Sequence, residues 1–226
     1  MSEQAVDLLD SLPTSGFEAA SPLGHVNVLG LPTQAADAAG IVFGSLATLG
    51  LLSVRLAGAN GEQRDVFEEL LGMSLPTGPL TSSTHDDRVV RWISPDEWLL
   101  SVSREELFAL EVLFAERMPG HYSLVNVTGG LAVWQLSGRQ VLGLLRKCVP
   151  VDLHITVFPV GKVVSTLCAK SSVILRRQDE DAFELVVRRS FADYLWRWID
   201  DASREFGGLR PPQRSRFMNS RRFLGP

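Results

Sequence analysis

Cysteine is scarce, with two residues in 226, Cys148 and Cys168. They are too few and too far apart in sequence for a metal knuckle or a redox pair. Cys148 falls on an apolar helix face and Cys168 inside a strand-like run, so both read as small buried hydrophobes. Positive charge is not in excess either. Against 22 Lys and Arg stand 26 Asp and Glu, for a net charge of -4, which argues against the electrostatic footprint of a general nucleic-acid binder. There is no long apolar run: Ala35 to Ala59 is interrupted by Asp37, Gly40, Gly44, Gly50 and Arg55 and does not read as a membrane span. Residues 1–11 carry Glu3, Asp7 and Asp10 without a basic start or an apolar centre, so they do not read as a secretory signal. A cytoplasmic location is expected.

Cofactor signatures are missing too. No G-x-G-x-x-G turn opens a helix after a strand, and Gly161-Lys162 is followed by Val163 with no glycine five residues before Gly161. The expectation is a chain that holds no dinucleotide and no nucleoside triphosphate of its own. His25, His85, His121 and His154 are dispersed, without the helical spacing of a metal pair. Asp152 and His154 follow Pro150 two residues apart and read as a carboxylate tying down its own turn rather than an acid–base pair, since no nucleophile is placed beside them. Asp96 and Glu97 likewise read as turn and surface groups. No catalytic, cofactor-binding or metal residue is nominated.

What is present is a core: 45% of residues are hydrophobic and 21% charged, which suits one large domain or two small ones. Residues 1 to about 24, with Pro13, Gly16, Pro22 and Gly24, read as an extended arm. His25 to Leu31 reads as an edge strand, and Pro32 to about Gly44 is open between loop and helix. From Leu49 the pattern is regular. A strand to Ala57 is followed by a Gly- and Asn-rich turn and a helix over Glu62–Leu71, with Gly72 past its end. After a loop containing Pro76, Gly78 and Pro79, Arg88–Ile93 and Glu97–Val102 form a hairpin flanked by Trp92 and Trp98. Ser103 with Glu106 makes a capping box for a helix to about Arg117, buried through Leu107, Leu110, Val112, Leu113 and Phe114. Tyr122–Val127 is the next strand.

That order is a split βαβ unit, and the remainder begins to repeat it. Leu131–Leu136 is a strand. Ser137 with Gln140 predicts a capped helix with Val141, Leu142, Leu145 and Cys148 inward, stopped by Pro150. Strands follow near Val163–Ala169, Ser172–Arg177 and Phe183–Arg188, and Ser190 with Asp193 predicts a cap for a last helix to about Phe206, with Phe191, Leu195, Trp198 and Ile199 along one side. The fold class is therefore α+β, with two ferredoxin-like units at 45–129 and 130–207, an N-terminal arm and edge segment at 1–44, and a basic tail at 208–226. Trp196 and Trp198 lie about 200° apart on the last helix, so one suits the core and the other needs a second surface. The tail carries Arg210, Arg214, Arg216, Arg221 and Arg222 with no acidic residue. Its Phe217 and Phe223 favour docking over solvation. One of Trp196 or Trp198, with the arm and these tail residues, is the expected partner interface.

The stretches WISPDEWLL, VNVTGGLAVWQLSGRQVLGLLRKCVPVDLH, FPVGKVVSTLCA and FELVVRRSFADYLWRWIDDASREFG, in this order over roughly residues 45 to 207, resemble the gamma subunit of heterotetrameric sarcosine oxidase. The resemblance implies the folate-binding T-protein-like fold and a noncatalytic chain within a cytoplasmic complex of alpha, beta, gamma and delta subunits, contacting chiefly alpha. It further implies that FAD, FMN, NAD and tetrahydrofolate belong to partner subunits. The complex would convert sarcosine to glycine and hydrogen peroxide while passing the methyl carbon to tetrahydrofolate. Two other readings stay open: the gamma subunit of a related heterotetrameric amine dehydrogenase or oxidase, and a stand-alone folate-binding T-protein-like protein in one-carbon metabolism or iron–sulfur assembly. Neither nucleic acid nor membrane is an expected partner.

Overall fold

The computed structural model describes residues 21–24, 26, 40–46, 49–56 and 61–211. The sequence readings for most of the N-terminal arm, the His25–Leu31 strand and the tail beyond Pro211 lie outside them. Among the described residues the chain runs β1 (Ile41–Ser45), β2 (Leu49–Leu56), α1 (Gly61–Leu71), β3 (Ser82–His85), β4 (Arg88–Ser94), β5 (Glu97–Ser103), α2 (Arg104–Arg117) and β6 (Tyr122–Asn126). It continues through β7 (Leu131–Ser137), α3 (Val141–Cys148), β8 (Val163–Cys168), β9 (Ser171–Asp179), β10 (Ala182–Arg188), α4 (Ala192–Ser203) and β11 (Leu209–Arg210). It is an α+β fold with two sheets, one ordered β3-β4-β5-β2-β6 and the other β11-β1-β7-β10-β9-β8.

Period-two side-chain alternation explains how the layers stack. On β2, Leu52, Val54 and Leu56 pack with Trp98, Leu100 and Val102 of β5 against Phe67 and Leu71 of α1 and Leu107, Leu110 and Phe114 of α2. On β7 and β10, Trp134, Leu136, Phe183 and Leu185 pack against Val141, Leu144 and Leu145 of α3 and Leu195 and Ile199 of α4. The intervening positions, Leu49, Leu51, Leu99, Val133 and Val186, meet each other in a third apolar cluster. The two sheets thus face one another, with a helix pair on each outer surface. The chain passes from one sheet to the other between β1 and β2, and again through the 3-10 turn Thr128–Gly130, where Leu51 donates its amide to the Thr128 hydroxyl at 2.9 Å.

Several expectations are corrected. Ile41–Ser45, open between loop and helix in the sequence, is a strand pairing antiparallel with β7, Phe43 opposite Leu136; its β-branched and aromatic residues take a slot between β7 and β11. β3, expected as loop, is a short edge strand on β4. The Ser103 cap holds, its hydroxyl accepting the Glu106 amide at 3.2 Å. The Ser137–Gln140 box does not form: Ser137 is still in β7, and Gln140 precedes α3 without a side-chain cap. The intervening Gly138 explains why. Its φ of +118° and the Gly40 carbonyl, 2.6 Å from where a Cβ would sit, commit this corner to a glycine turn against β1. Ser190 and Asp193 do not cap α4 either, because a 3-10 turn over Arg189–Phe191 leads into it and Phe191 takes the N-cap position. In α2, Leu113 is exposed rather than buried, and the four residues expected along one side of the last helix divide, Leu195 and Ile199 buried, Phe191 and Trp198 exposed. Leu209–Arg210, expected within the tail, pair parallel with β1.

Candidate interaction surface

α4 carries the strongest candidate. Ala192, Leu195, Trp196, Ile199 and Ser203 are buried, and Trp196 stacks edge-on to Phe43 with ring centres 4.8 Å apart. Phe191, Tyr194 and Trp198, at i, i+3 and i+7, fall on a neighbouring flank of the same helix. Phe191 and Trp198 are 43% and 42% exposed, and Tyr194 lies half-buried beside Trp198 at 6.4 Å. Three aromatic rings on one flank, two of them open to solvent, form an uncommon surface. Charges ring it: Arg188 and Arg189 are exposed at its start, and Arg197 pairs with Asp193 at 2.9 Å. Between the start of α4 and the 3-10 turn lies an open cleft lined by Ser21, Pro22, Gly129, Gly130, Arg189, Ser190 and Asp193.

A second apolar surface, without a signal in the sequence reading, follows α3. Ile155, Val157 and Val160 are exposed on the loop before the edge strand β8, and Leu167 on the strand itself. Arg177, almost fully buried, holds this loop by donating to the carbonyls of Leu153 at 3.1 Å and Phe158 at 2.8 Å, and its guanidinium also covers the Phe183 ring. Asp152 and His154 belong to the same loop. The Asp152 carboxylate accepts the His154 amide at 2.9 Å, and the His154 ring meets the Thr156 hydroxyl at 2.7 Å. This is turn architecture on the surface.

The sequence reading also missed a buried ion cluster between the sheets. Arg91 of β4 reaches across to Glu184 of β10 at 2.6 Å, and Arg176 of β9 meets the same carboxylate oxygen at 3.3 Å. Arg91 also receives the Ser101 hydroxyl as acceptor at 3.1 Å, and Arg176 that of Thr84 at 3.0 Å. Burial alone would raise the Glu184 carboxyl, but the two guanidinium charges overcome it and hold its pKa at about 2. Glu184 is thus a fixed anion at neutral pH, a brace rather than an acid or base. Among the described residues no three His, Cys, Asp or Glu are grouped to hold a metal, and no helix is long and apolar enough to cross a membrane.

Of the residues nominated for an interface, the structure separates the two tryptophans, Trp196 inward and Trp198 outward. Arg210 is half-buried in β11. Arg214, Arg216, Phe217, Arg221, Arg222 and Phe223 lie outside the described residues. The two cysteines, remote in sequence, are neighbours in space, since the Ala169 amide donates to the Cys148 carbonyl at 2.8 Å.

Comparison with known proteins gives this arrangement its context. Residues 58–205 match the sarcosine oxidase, gamma subunit family. The sarcosine oxidase subunit gamma of Corynebacterium sp. (strain U-96) is 27% identical over 190 residues, 82% of this chain and 90% of that one. The subunit of the same name from Corynebacterium sp. (strain P-1) is 32% identical over 141 residues, 61% of this chain and 68% of that one. Among solved structures, a chain of the heterotetrameric sarcosine oxidase from Corynebacterium sp. U-96, in complex with pyrrole 2-carboxylate, superposes with a TM-score of 0.72 at 27% identity, covering 84% of this chain and 96% of that one. The glycine cleavage system aminomethyltransferase T from Bartonella henselae superposes at 0.52 with 13% identity, covering 77% of this chain and 48% of that one, a likeness of fold alone.

Proposed function

The chain belongs to the sarcosine oxidase gamma subunit family, and on that premise we propose that it is the noncatalytic gamma chain of a cytoplasmic heterotetrameric sarcosine oxidase, docked chiefly on the alpha subunit beside beta and delta. The observation that carries this reading is the match across residues 58–205, backed by superposition on nearly the whole of one chain of a solved heterotetramer. In this reading the complex oxidises sarcosine to glycine and hydrogen peroxide and passes the methyl carbon to tetrahydrofolate. FAD, FMN, NAD and tetrahydrofolate belong to its other subunits. At the β7–α3 corner the Gly138 amide donates to the Asp181 carbonyl at 3.0 Å, so it faces the chain's own backbone and not a phosphate.

The fold reading is of two ferredoxin-like units, 45–129 and 130–207, with an arm at 1–44 and a tail at 208–226. It is supported by the order β4-β5-β2-β6, in which the first strand of a split βαβ unit lies between its third and fourth. The second sheet repeats the order β9-β10-β7, with β1 in the fourth place and β11 beyond it. The proposed docking face is Phe191, Tyr194 and Trp198, because an aromatic stripe with a charged rim has the composition of an interface centre. Co-expression with the large subunits tests the function: the chain is expected to co-purify with them, and alone to carry no flavin absorbance and to demethylate no sarcosine. Flavin or turnover in the isolated chain would overturn the reading.

A further inference from the structure

Residues 21–24 show where the N-terminal part of the chain meets the second unit. Leu23 is buried in the same core cluster as Trp134, Ala192 and Leu195. Its amide donates to the Ser21 hydroxyl at 3.2 Å, and the Gly24 amide donates to the Ser21 carbonyl at 3.0 Å, so a tight turn holds the chain there. Ser21 and Pro22 line the same cleft as Arg189, Ser190 and Asp193. Residues 1–20 therefore lead away from the start of α4, beside the flank on which Phe191 and Trp198 stand open to solvent. That flank is basic. Residues 188–198 hold Arg188, Arg189 and Arg197 against one carboxylate, Asp193, and all three arginines are exposed. The acidic residues beyond Trp198, Asp200 and Asp201, are engaged by Arg204 at 3.7 and 3.4 Å.

Residues 1–20 complement this flank in composition. They hold Glu3, Asp7, Asp10 and Glu18, and neither lysine nor arginine. Ala5, Leu8, Leu9 and Leu12 recur at i, i+3, i+4 and i+7, the spacing of the anchors with which an amphipathic segment lays one face on an apolar surface. Asp7 and Asp10 fall between those anchors, and Pro13 follows them. We propose that residues 3–12 of the chain itself dock on the flank of Phe191, Tyr194 and Trp198, with the leucines on the rings and the carboxylates toward Arg188, Arg189 and Arg197. The tether permits it. Phe191 and Trp198 are about 10 Å apart along α4, and residues 13–20, which join Leu12 to Ser21, span up to roughly 26 Å. A segment tethered in this way meets its surface at an effective concentration on the order of millimolar, an advantage that no free partner has. The flank is also the docking face proposed above, and on that reading the segment covers it in the free chain and yields it on assembly. The docking itself needs only the folded chain.

The test uses the full-length chain without partners, diluted until light scattering reports a monomer. The contribution of Trp198 is the difference in tryptophan fluorescence between the wild type and Trp198→Phe, and acrylamide quenching reads its exposure. Expected is quenching of this contribution that is about threefold or more slower in the wild type than in Leu8→Asp/Leu9→Asp, where the apolar anchors carry charge. Asp7→Lys/Asp10→Lys is expected to act in the same direction, and salt at about 0.5 M to speed quenching in the wild type but not in that variant, because exposed charges are screened. A second measurement leaves the segment intact. With Trp198→benzoylphenylalanine, light and then trypsin are expected to join peptide 198–204 to the peptide that ends at Arg55, with fragment ions locating the bond within residues 1–20. The proposal is overturned if Trp198 is quenched equally in the wild type and Leu8→Asp/Leu9→Asp, if the cross-link falls outside residues 1–20, or if it forms only between two chains, which would make the occupant a second copy. None of these measurements involves the large subunits, so their outcome is independent of whether the chain assembles with them.

Discussion

Replacing Glu184 by Gln keeps the shape of the inter-sheet brace and removes its one negative charge. What remains is two guanidinium groups, Arg91 with no exposed surface and Arg176 nearly so, with Arg91 still bonded to Ser101 and Arg176 to Thr84. The Arg91 Nη2 has no partner among the described residues even in the intact chain, so no reserve of acceptors takes up the lost charge. Breaking one partner out of a buried pair costs about 3–5 kcal/mol. An independent route gives the same size. Against an ordinary value of 4.5, a carboxyl held at about 2 corresponds to about 3 kcal/mol. Because the folded pKa is depressed, this stability is fully present above about 4.5 and drains away as pH falls toward 2. Melting of the wild type and Glu184→Gln by circular dichroism at pH 7 should differ by about 6–20 °C for a chain of this size. The difference should shrink steadily as the pH is lowered from 5 to 3 (~2 kcal/mol of it gone by then). Equal melting at pH 7, or a difference that does not respond to acid, would refute the argument that Glu184 is a charged brace.

Trp198→Ala should leave the melting temperature within a few degrees, since the ring is largely exposed, while weakening co-purification with the large subunits by tenfold or more, as removal of about 2 kcal/mol from an interface centre would; unchanged co-purification would move the docking face elsewhere. Trp196→Ala should do the reverse, costing about 3–5 kcal/mol of stability through the cavity left against Phe43, read by urea unfolding. Gly138→Ala should cost about 2 kcal/mol or more, because a Cβ there meets the Gly40 carbonyl at a strained backbone angle; a neutral outcome in the same assay would mean the corner can relax. Ser103→Ala should cost about 1 kcal/mol by removing the cap of α2.

Local periodicity made most of the strands and helices readable, because each of α1, α2, α3 and α4 buries a stripe against one face of one sheet. Alternation is blind to what covers the other face. Arg91, Ser101, Arg176 and Glu184 occupy alternate positions of β4, β5, β9 and β10, the pattern a strand shows when its polar side meets water. Here that side meets a second sheet, so residues with the signature of solvent form the most completely buried ion pair among the described residues. The short strands were hidden for a related reason. Ile41–Ser45 and Leu209–Arg210 are too brief to carry a period. They exist because β7 offers β1 an open ladder and β1 in turn offers one to β11. The capping boxes at Ser137 and Ser190 failed through backbone demands just before the helix, a positive-φ glycine in one case and a 3-10 turn in the other, both invisible to a rule that reads only side chains.

The two tryptophans of α4 show where the sequence was sufficient for half an answer. Their separation of about 200° requires opposite environments, but the spacing is symmetric and names neither as the inner one. The choice is made by β1, which lay unassigned: Phe43, inserted next to β7, gives Trp196 an aromatic partner at 4.8 Å and Trp134 one at 5.4 Å. With that position fixed, Trp198 falls on the other side of α4, where its ring stays open to solvent. A single strand contributed from the far end of the chain thus settles which tryptophan is core and which is surface. Deleting β1 should therefore expose Trp196 and disturb Trp198 together, and a tryptophan fluorescence spectrum red-shifted for only one of the two would show that their environments are set independently.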